Sequence, residues 1–279
     1  MFTGECEHCC GLTDIGRKRD ANEDHFLIAT LSKSMQVHRT SLDQQAGAEL
    51  CSSAHGKLLL VADGIGGHVA GERASELAIG TMSQYVLNIL PWFYRLYGED
   101  EADLYDELRL AIQKCEAVID AESEGVPEHD GMGTTLTMAY VLWPSMYVVH
   151  VGDSRCYVLR GEQLSQITVD QTVAQELVDR GALERDQARD SMWHHVLSNA
   201  LGRGMEKLRS SVYKAELQAN DTVLLCTDGL TECVADANIK AILLARDSEQ
   251  QTCERLVNAA NDAGGTDNIT VIVARFPEH

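Results

Sequence analysis

The sequence predicts an α+β fold in a single domain spanning residues 1–279. Short apolar runs of strand length recur along the chain, among them Leu58 to Ala62, MYVVHV at 146–151, TVLLC at 222–226 and ITVIVARF at 269–276. Two stretches between them repeat apolar residues every three or four positions, the period of an amphipathic helix. From Gly133 onward, consecutive strands are separated by connections short enough for an antiparallel meander. With 44% apolar residues, the chain can fill a sizeable core.

In chain order, a first strand runs from Cys6 to about Thr13. The cluster Cys6, His8, Cys9 and Cys10 has no second ligand pair at zinc-finger spacing, so it reads as a strand of small alternating side chains. The polar turn DIGRKRDANED places Arg17, Lys18 and Arg19 before Asn22, Glu23 and Asp24, and a second strand follows over Phe26 to Leu31. Residues 32–56 are polar and aperiodic and read as a long connecting loop, in which His38 and His55 carry no assigned role. Leu58 to Ala62 is then a strand buried on both faces, ending at Asp63 and the glycines Gly64, Gly66, Gly67 and Gly71. A dinucleotide-binding turn is disfavoured, because the spacing is Gly64-x-Gly66-x-x-x-x-Gly71 and Asp63 would face the pyrophosphate.

The first helix carries Ala74, Leu77, Ala78, Thr81, Met82, Tyr85, Val86 and Ile89 and stops before Pro91; the second carries Leu104, Leu108, Ala111, Ile112, Cys115, Val118 and Ile119. Trp92, Phe93, Tyr94 and Tyr97 between them read as a core plug. The meander TTLTMAYVL, MYVVHV and CYVLRGEQLSQIT passes Asp153 beside Gly152 and leads to Asp170. Residues 172–205 are polar and helical and read as an exposed flap, with His194 and His195 as exposed or locally packed residues. TVLLC ends at Asp228-Gly229, and helices near 238–245 and 249–263 lead to GGTDN and the last strand, which Asp267 precedes.

One aspartate at a strand end is ordinary turn chemistry. Four, at Asp63, Asp153, Asp228 and Asp267, converge on one edge if their strands are neighbours, and carboxylates gathered away from water need cations. Ligands that are all oxygen favour Mg²⁺ or Mn²⁺ over zinc. Two such ions about 4 Å apart can share a carboxylate, activate water and clamp a phosphoryl group. The formal net charge of −20 argues against nucleic acid or an anionic membrane as partner. No apolar segment has the length of a membrane span, and MFTGECEHCC lacks the features of a signal peptide, so a soluble cytoplasmic protein is expected. Nine scattered cysteines suit free thiols better than a disulfide framework. None lies in a Cys-x5-Arg phosphate cradle, which sets nucleophilic cysteine chemistry aside.

The ordered set TDIGRKRDANED, VADGIGGHVAGE, GTTLT, VGDSR, TDGL and GGTDNIT resembles, over nearly the whole chain, the metal-dependent serine/threonine protein phosphatases of the protein phosphatase 2C (PPM) type in their compact bacterial form. The resemblance implies a four-layer αββα sandwich, two antiparallel β-sheets face to face with helices outside. It implies hydrolysis of phosphoserine and phosphothreonine on proteins by water activated between two Mn²⁺ or Mg²⁺ ions, with no phosphoenzyme, reversing a cognate Ser/Thr kinase in signal transduction. Position by position, it makes Asp63 the ligand that bridges both metals and Gly64 the residue whose carbonyl helps hold the second. Asp228 and Asp267 hold the first metal, and Glu23 and Asp24 bind or orient water on the second. Arg19 grips substrate phosphate, with Arg17 the less suitable candidate, and Asp153 with Asp228 forms a third metal site.

Two departures leave the source of the leaving-group proton open. Where eukaryotic relatives carry a histidine after Asp-Gly, this chain has Ile65; where bacterial relatives read Asp-His-Ser, it has Asp170-Gln171-Thr172. His68 or water on the metals could serve instead, although His68 also reads as a helix-entry residue. The resemblance places substrate choice in the flap, and a monomer is expected. The alternative function, an inactive module that binds a phosphoprotein or a kinase, is opposed by the retention of all six carboxylates.

Overall fold

The computed structural model of the protein describes residues 8–39, 49–88, 101–189, 191–203 and 208–278. In chain order the strands are β1 (Cys9–Asp14), β2 (His25–Gln36), β3 (Glu49–Ala62), β4 (Gly64–Ile65), β5 (Gly133–Thr134), β6 (Leu136–Leu142) and β7 (Ser145–Val151). They continue with β8 (Arg155–Arg160), β9 (Gln163–Gln166), β10 (Leu201–Gly202), β11 (Ser211–Glu216), β12 (Asp221–Cys226) and β13 (Ile269–Phe276). The helices are α1 (His68–Asn88), α2 (Glu101–Ser123), α3 (Val173–Asp179), α4 (Arg185–Arg189), α5 (Asp228–Thr231), α6 (Asp236–Leu244) and α7 (Glu249–Asp262).

One sheet has the order β1-β13-β12-β8-β9 and the other β11-β7-β6-β3-β2; β10-β5-β4 form a small third sheet. All the pairings are antiparallel. The four layers follow from the two-residue period of the strands, which sends successive side chains to opposite faces. Leu58, Leu60 and Ala62 pack outward with Met82 of α1 and Leu108 and Ile112 of α2. Leu59 and Val61 pack inward with Val148, Val223, Leu225 and Ile272, between the sheets. Leu224, Cys226, Val271 and Val273 face the opposite helical layer, where Ile239, Cys253, Leu256 and Val257 meet them. Three apolar interfaces make the expected αββα sandwich, and they explain why the central strands read as unbroken apolar runs.

Helix α7 is closed at its start by a capping box, in which Ser248 Oγ accepts from Gln251 N at 3.2 Å while Ser248 N donates back to Gln251 Oε1 at 3.2 Å. Cys9 faces the inter-sheet core and Cys10 the outer one, as alternation on a strand requires, so the two thiols cannot ligate a common ion. Cys6 lies outside the described residues, as do Trp92, Phe93, Tyr94 and Tyr97 and, with them, the expected core plug.

The reading of residues 32–56 as a loop is corrected. β2 runs on to Gln36 and β3 begins at Glu49, with pairs Ser34↔Cys51, Met35↔Leu50 and Gln36↔Glu49 beyond a register shift at Ser32/Ser34. β6 pairs with β3 only from Lys57 to Val61, so this end of the hairpin projects past the sheet. Backbone hydrogen bonds hold it, and exposed Ser32, Ser34 and Gln36 have no core face to demand apolar alternation. The flap is corrected at its far end: Ala200 and Leu201 are buried, and Leu201 pairs with Thr134 in the small sheet. Between these limits α3 and α4 are short, and Thr172 and Leu197 form an isolated bridge at the flap's base.

Candidate metal and phosphate site

Strand direction gathers the acidic residues. β3 and β7 each pair antiparallel with β6 and so run the same way, which places Asp63 and Asp153, just past their ends, at one edge. β12 enters that edge and β13 leaves it, which adds Asp228 and Asp267. β1 pairs with β13 as far as Asp14↔Ile269, so the turn carrying Arg19, Glu23 and Asp24 lies against the turn carrying Asp267.

Asp63 is pinned by its backbone. Its N–H donates to Thr135 Oγ1 at 3.1 Å, and its carbonyl accepts from Thr135 N at 2.9 Å and Thr134 Oγ1 at 2.8 Å. Thr135 Oγ1 also meets Ser154 Oγ at 2.8 Å, which joins the Asp63 turn to the Asp153 turn. Gly152 has φ +107°, and a Cβ there would meet Thr135 Cβ at 2.6 Å, so that turn requires glycine.

Asn268 organises the opposite side. Its Oδ1 accepts from Glu23 N at 2.8 Å, and its Nδ2 donates to Ile15 O at 3.0 Å and Ala21 O at 2.9 Å. Ser75 Oγ of α1 donates to Glu23 O at 2.6 Å. The Glu23 carboxylate passes over Gly71, where a Cβ would fall 1.8 Å from Oε2. Gly64 is pressed against the same helix turn, and a Cβ on it would fall 2.3 Å from Gly71 O.

Asp24 Oδ2 accepts from Thr227 Oγ1 at 2.8 Å, but Asp24 Oδ1 and Asp228 Oδ1 are buried and, among the described residues, meet no donor. Burial pushes the Asp24 carboxyl up to about 7, and Asp267 and Glu23 add to the rise, while Thr270 and Thr227 oppose it. Burial likewise pushes Asp153 up to about 7, with repulsion from Asp170 and Glu232. Asp228 is raised well above the ordinary carboxylate range by burial and then by Asp63, Asp153, Glu232 and Asp267. Asp63 is raised by burial, Asp24 and Asp153, although it lies close enough to Asp228 to share a proton, which partly offsets the rise.

Arg19 NH2 donates to Asp267 Oδ2 at 2.5 Å, and its side chain is 52% exposed. The carboxylates of Asp267, Glu23 and Asp63 all favour its charge. Arg17 instead donates its backbone N–H to Gly265 O at 2.8 Å and braces the turn.

The expected site residues Arg19, Glu23, Asp24, Asp63, Gly64, Asp153, Asp228 and Asp267 therefore share one edge of the sandwich. Among the described residues no three acidic, histidine or cysteine side chains yet converge closely enough to cage an ion. The electrostatics nevertheless fit a hard divalent cation: the donors are all oxygen, two buried carboxylate oxygens meet no donor, and mutual repulsion disfavours the anionic forms. His68 opens α1, and its side chain lies outside the described set.

Sequence reasoning missed several residues that build this edge. Arg155 clasps Asp170 through Nε at 2.9 Å and NH2 at 2.6 Å beside Asp153. Gln171 holds both backbone groups of Gly152, accepting its N–H on Oε1 at 2.8 Å and donating its own N–H to Gly152 O at 2.7 Å. His195 Nδ1 meets Glu232 Oε1, tying the flap to the residue that follows α5. The spacing of Asp228 and Glu232, four residues apart as on a helix face, was the one signal available for the last of these.

A family model described as Protein phosphatase 2C matches residues 35–269. The chain is 37% identical over 223 residues to the serine/threonine protein phosphatase PstP of Mycobacterium tuberculosis, covering 79% of this chain and 40% of that protein. It thus spans well under half the length of that relative. It is 33% identical over 217 residues to the serine/threonine phosphatase stp of Listeria innocua, covering 77% of this chain and 83% of that one. Among solved structures, the catalytic domain of PstP in complex with two manganese ions superposes with a TM-score of 0.73 at 31% identity, over 97% of this chain and 98% of that one. The shared fold, the acidic edge and these matches agree: the chain belongs to the protein phosphatase 2C family.

Proposed function

We propose that this chain is a metal-dependent phosphatase that hydrolyses phosphoserine and phosphothreonine on proteins. The observation that carries the reading is the pair of buried, donor-less oxygens, Asp24 Oδ1 and Asp228 Oδ1, inside a ring of carboxylates that burial and repulsion hold far from their ordinary acidity. Asp63 and the Gly64 carbonyl, with Asp228 and Asp267 on one side and Glu23 and Asp24 on the other, would hold two Mn²⁺ or Mg²⁺ ions, and Asp153 with Asp228 a third. The related PstP domain with two manganese ions supports the first two of these. When bound, such ions supply Lewis acidity, which makes water a nucleophile at neutral pH and screens phosphoryl charge.

The remaining steps fall to this chain's own side chains. Arg19 is exposed enough to exchange its Asp267 contact for substrate phosphate, and its planar fork suits two phosphate oxygens at once. The Thr134 and Thr135 clamp and the Asn268 clamp keep Asp63 and Glu23 in place as charge shifts during phosphoryl transfer, so little reorganisation is needed. The substrate is a phosphorylated protein, the cognate kinase its opponent, and the cytoplasm the place of action for a monomer; substrate choice would lie in the flap that follows Asp170. The net charge of −20 speaks against a nucleic-acid or anionic-membrane partner. No helix among the described residues is long and apolar enough to cross a membrane.

The test is hydrolysis of p-nitrophenyl phosphate and a phosphothreonine peptide by chelator-treated protein with and without Mn²⁺, beside Asp63→Asn and Asp228→Asn. Mn²⁺-dependent turnover lost in both variants is expected. A folded, Mn²⁺-binding protein that turns over neither substrate would overturn the reading.

A further inference from the structure

Cleavage of a serine or threonine phosphate leaves an alkoxide, which needs a proton as the P–O bond breaks. The two positions at which relatives carry a histidine do not supply one here. Ile65 is apolar, and Gln171 spends its amide on Gly152 N at 2.8 Å, Asn199 Nδ2 at 2.5 Å and Ser211 Oγ at 3.2 Å. His150 is buried, with Nδ1 on Thr137 Oγ1 at 2.9 Å and Nε2 on Val169 O at 3.1 Å. We infer that His195, oriented by Glu232, donates the proton to the departing serine or threonine oxygen. The inference rests on the phosphatase reading.

Three observations carry it. Glu232 directly follows α5 and donates its N–H to Asp228 O at 2.8 Å, so it is fixed one helical turn from a candidate metal ligand. Its charge raises both Asp153 and Asp228, which puts the carboxylate at the border of the acidic cluster. His195 gives Nδ1–H to that carboxylate, which leaves Nε2 on the opposite side of a ring whose side chain is 60% exposed. The pairing fixes tautomer and orientation, as a carboxylate does for an imidazole that must exchange protons.

His194 packs edge-on against His195 with ring centroids 5.1 Å apart, and Arg155 and Asp170 are the other charged groups facing this pair. Burial, then His195, then Arg155 push the His194 imidazole down, and His194 is half-buried where His195 is exposed. In the step, water oxygen bonds to phosphorus and the P–O(Ser/Thr) bond breaks. Its electron pair takes the Nε2 proton of His195; of the two protons of water, one stays on phosphate and the other passes to solvent, which reprotonates the imidazole.

An aryl leaving group is stable as an anion, whereas an alkyl one is not, so the two substrates separate proton donation from the rest of the site. With Mn²⁺ saturating, His195→Gln is expected to lower the ratio of kcat on a phosphothreonine peptide to kcat on p-nitrophenyl phosphate by roughly 100-fold. The alkaline limb of the peptide kcat/KM profile is expected to disappear with it. Glu232→Gln, as a positioning change, moves that limb to lower pH, and His194→Gln leaves the ratio within about twofold. Equal losses on both substrates, or an unchanged ratio, in His195→Gln would overturn the inference alone. Absence of turnover of either substrate by the unmodified protein would overturn the phosphatase reading with it.

Discussion

At the scale of single residues, the site depends on atoms that are missing as much as on those present. Gly71 sits inside α1, where alanine would ordinarily add up to about 1 kcal/mol of helix propensity. Its Cβ, however, would fall 1.8 Å from Glu23 Oε2 and 2.9 Å from the Gly64 carbonyl carbon. Gly71→Ala is therefore expected to keep far-UV circular dichroism and a cooperative melt while displacing the Glu23 carboxylate. Mn²⁺ affinity by titration calorimetry should fall at least tenfold; unchanged affinity would show that the carboxylate's path over Gly71 does not matter. The aspartates were legible in the sequence because a charge that ends a buried apolar run is costly to desolvate unless a cation or several donors meet it. Asn268 and Thr227 were not, because a neutral polar side chain in a turn carries no chemical signature until its partner, here 245 residues away for Asn268 and Glu23, is known.

At the scale of elements, the unbroken apolar strands hold the acidic edge in place. Leu59 and Leu60 are adjacent and fully buried, yet they belong to different layers, one between the sheets and one beneath α1 and α2. Leu59→Ala and Leu60→Ala are each expected to cost about 2–5 kcal/mol in urea unfolding, because each opens a cavity in its own layer. A cost under about 1 kcal/mol for either would mean that one face of β3 is not a packed interface. The central strands and both long helices were legible from period alone. The outer part of the β2–β3 hairpin was not, because its described face, Ser32, Ser34 and Gln36, is exposed and the strands are held there by backbone pairing, which leaves no apolar period to read on that face.

At the scale of the whole molecule, the acidic edge makes stability depend on pH and on metal. Asp24 and Asp153 titrate near 7 in the folded state against about 3.9 unfolded, and Asp63 and Asp228 are raised as well. Between these limits the folded state binds more protons, so the metal-free protein gains stability as pH falls and loses it as pH rises through about 7. His150 acts in the opposite sense: burial pushes it down to about 4, so the unfolded state binds the extra proton below about 6.5. His150 and His194, which burial also pushes down, are set against four carboxylates, so the melting temperature of chelator-treated protein is expected to rise from pH 8 to pH 5.5. Saturating Mn²⁺ should raise it most at pH 8; a flat or falling metal-free profile on acidification would contradict the coupled carboxylates. The sequence alone determined the α+β texture, the strands with two buried faces and the aspartates that must lie at strand ends, since these follow from local period and composition. Only the tertiary structure decided which partners hold those aspartates, how far their acidity is displaced and that His195 reaches Glu232, because each depends on distances between segments remote in the chain.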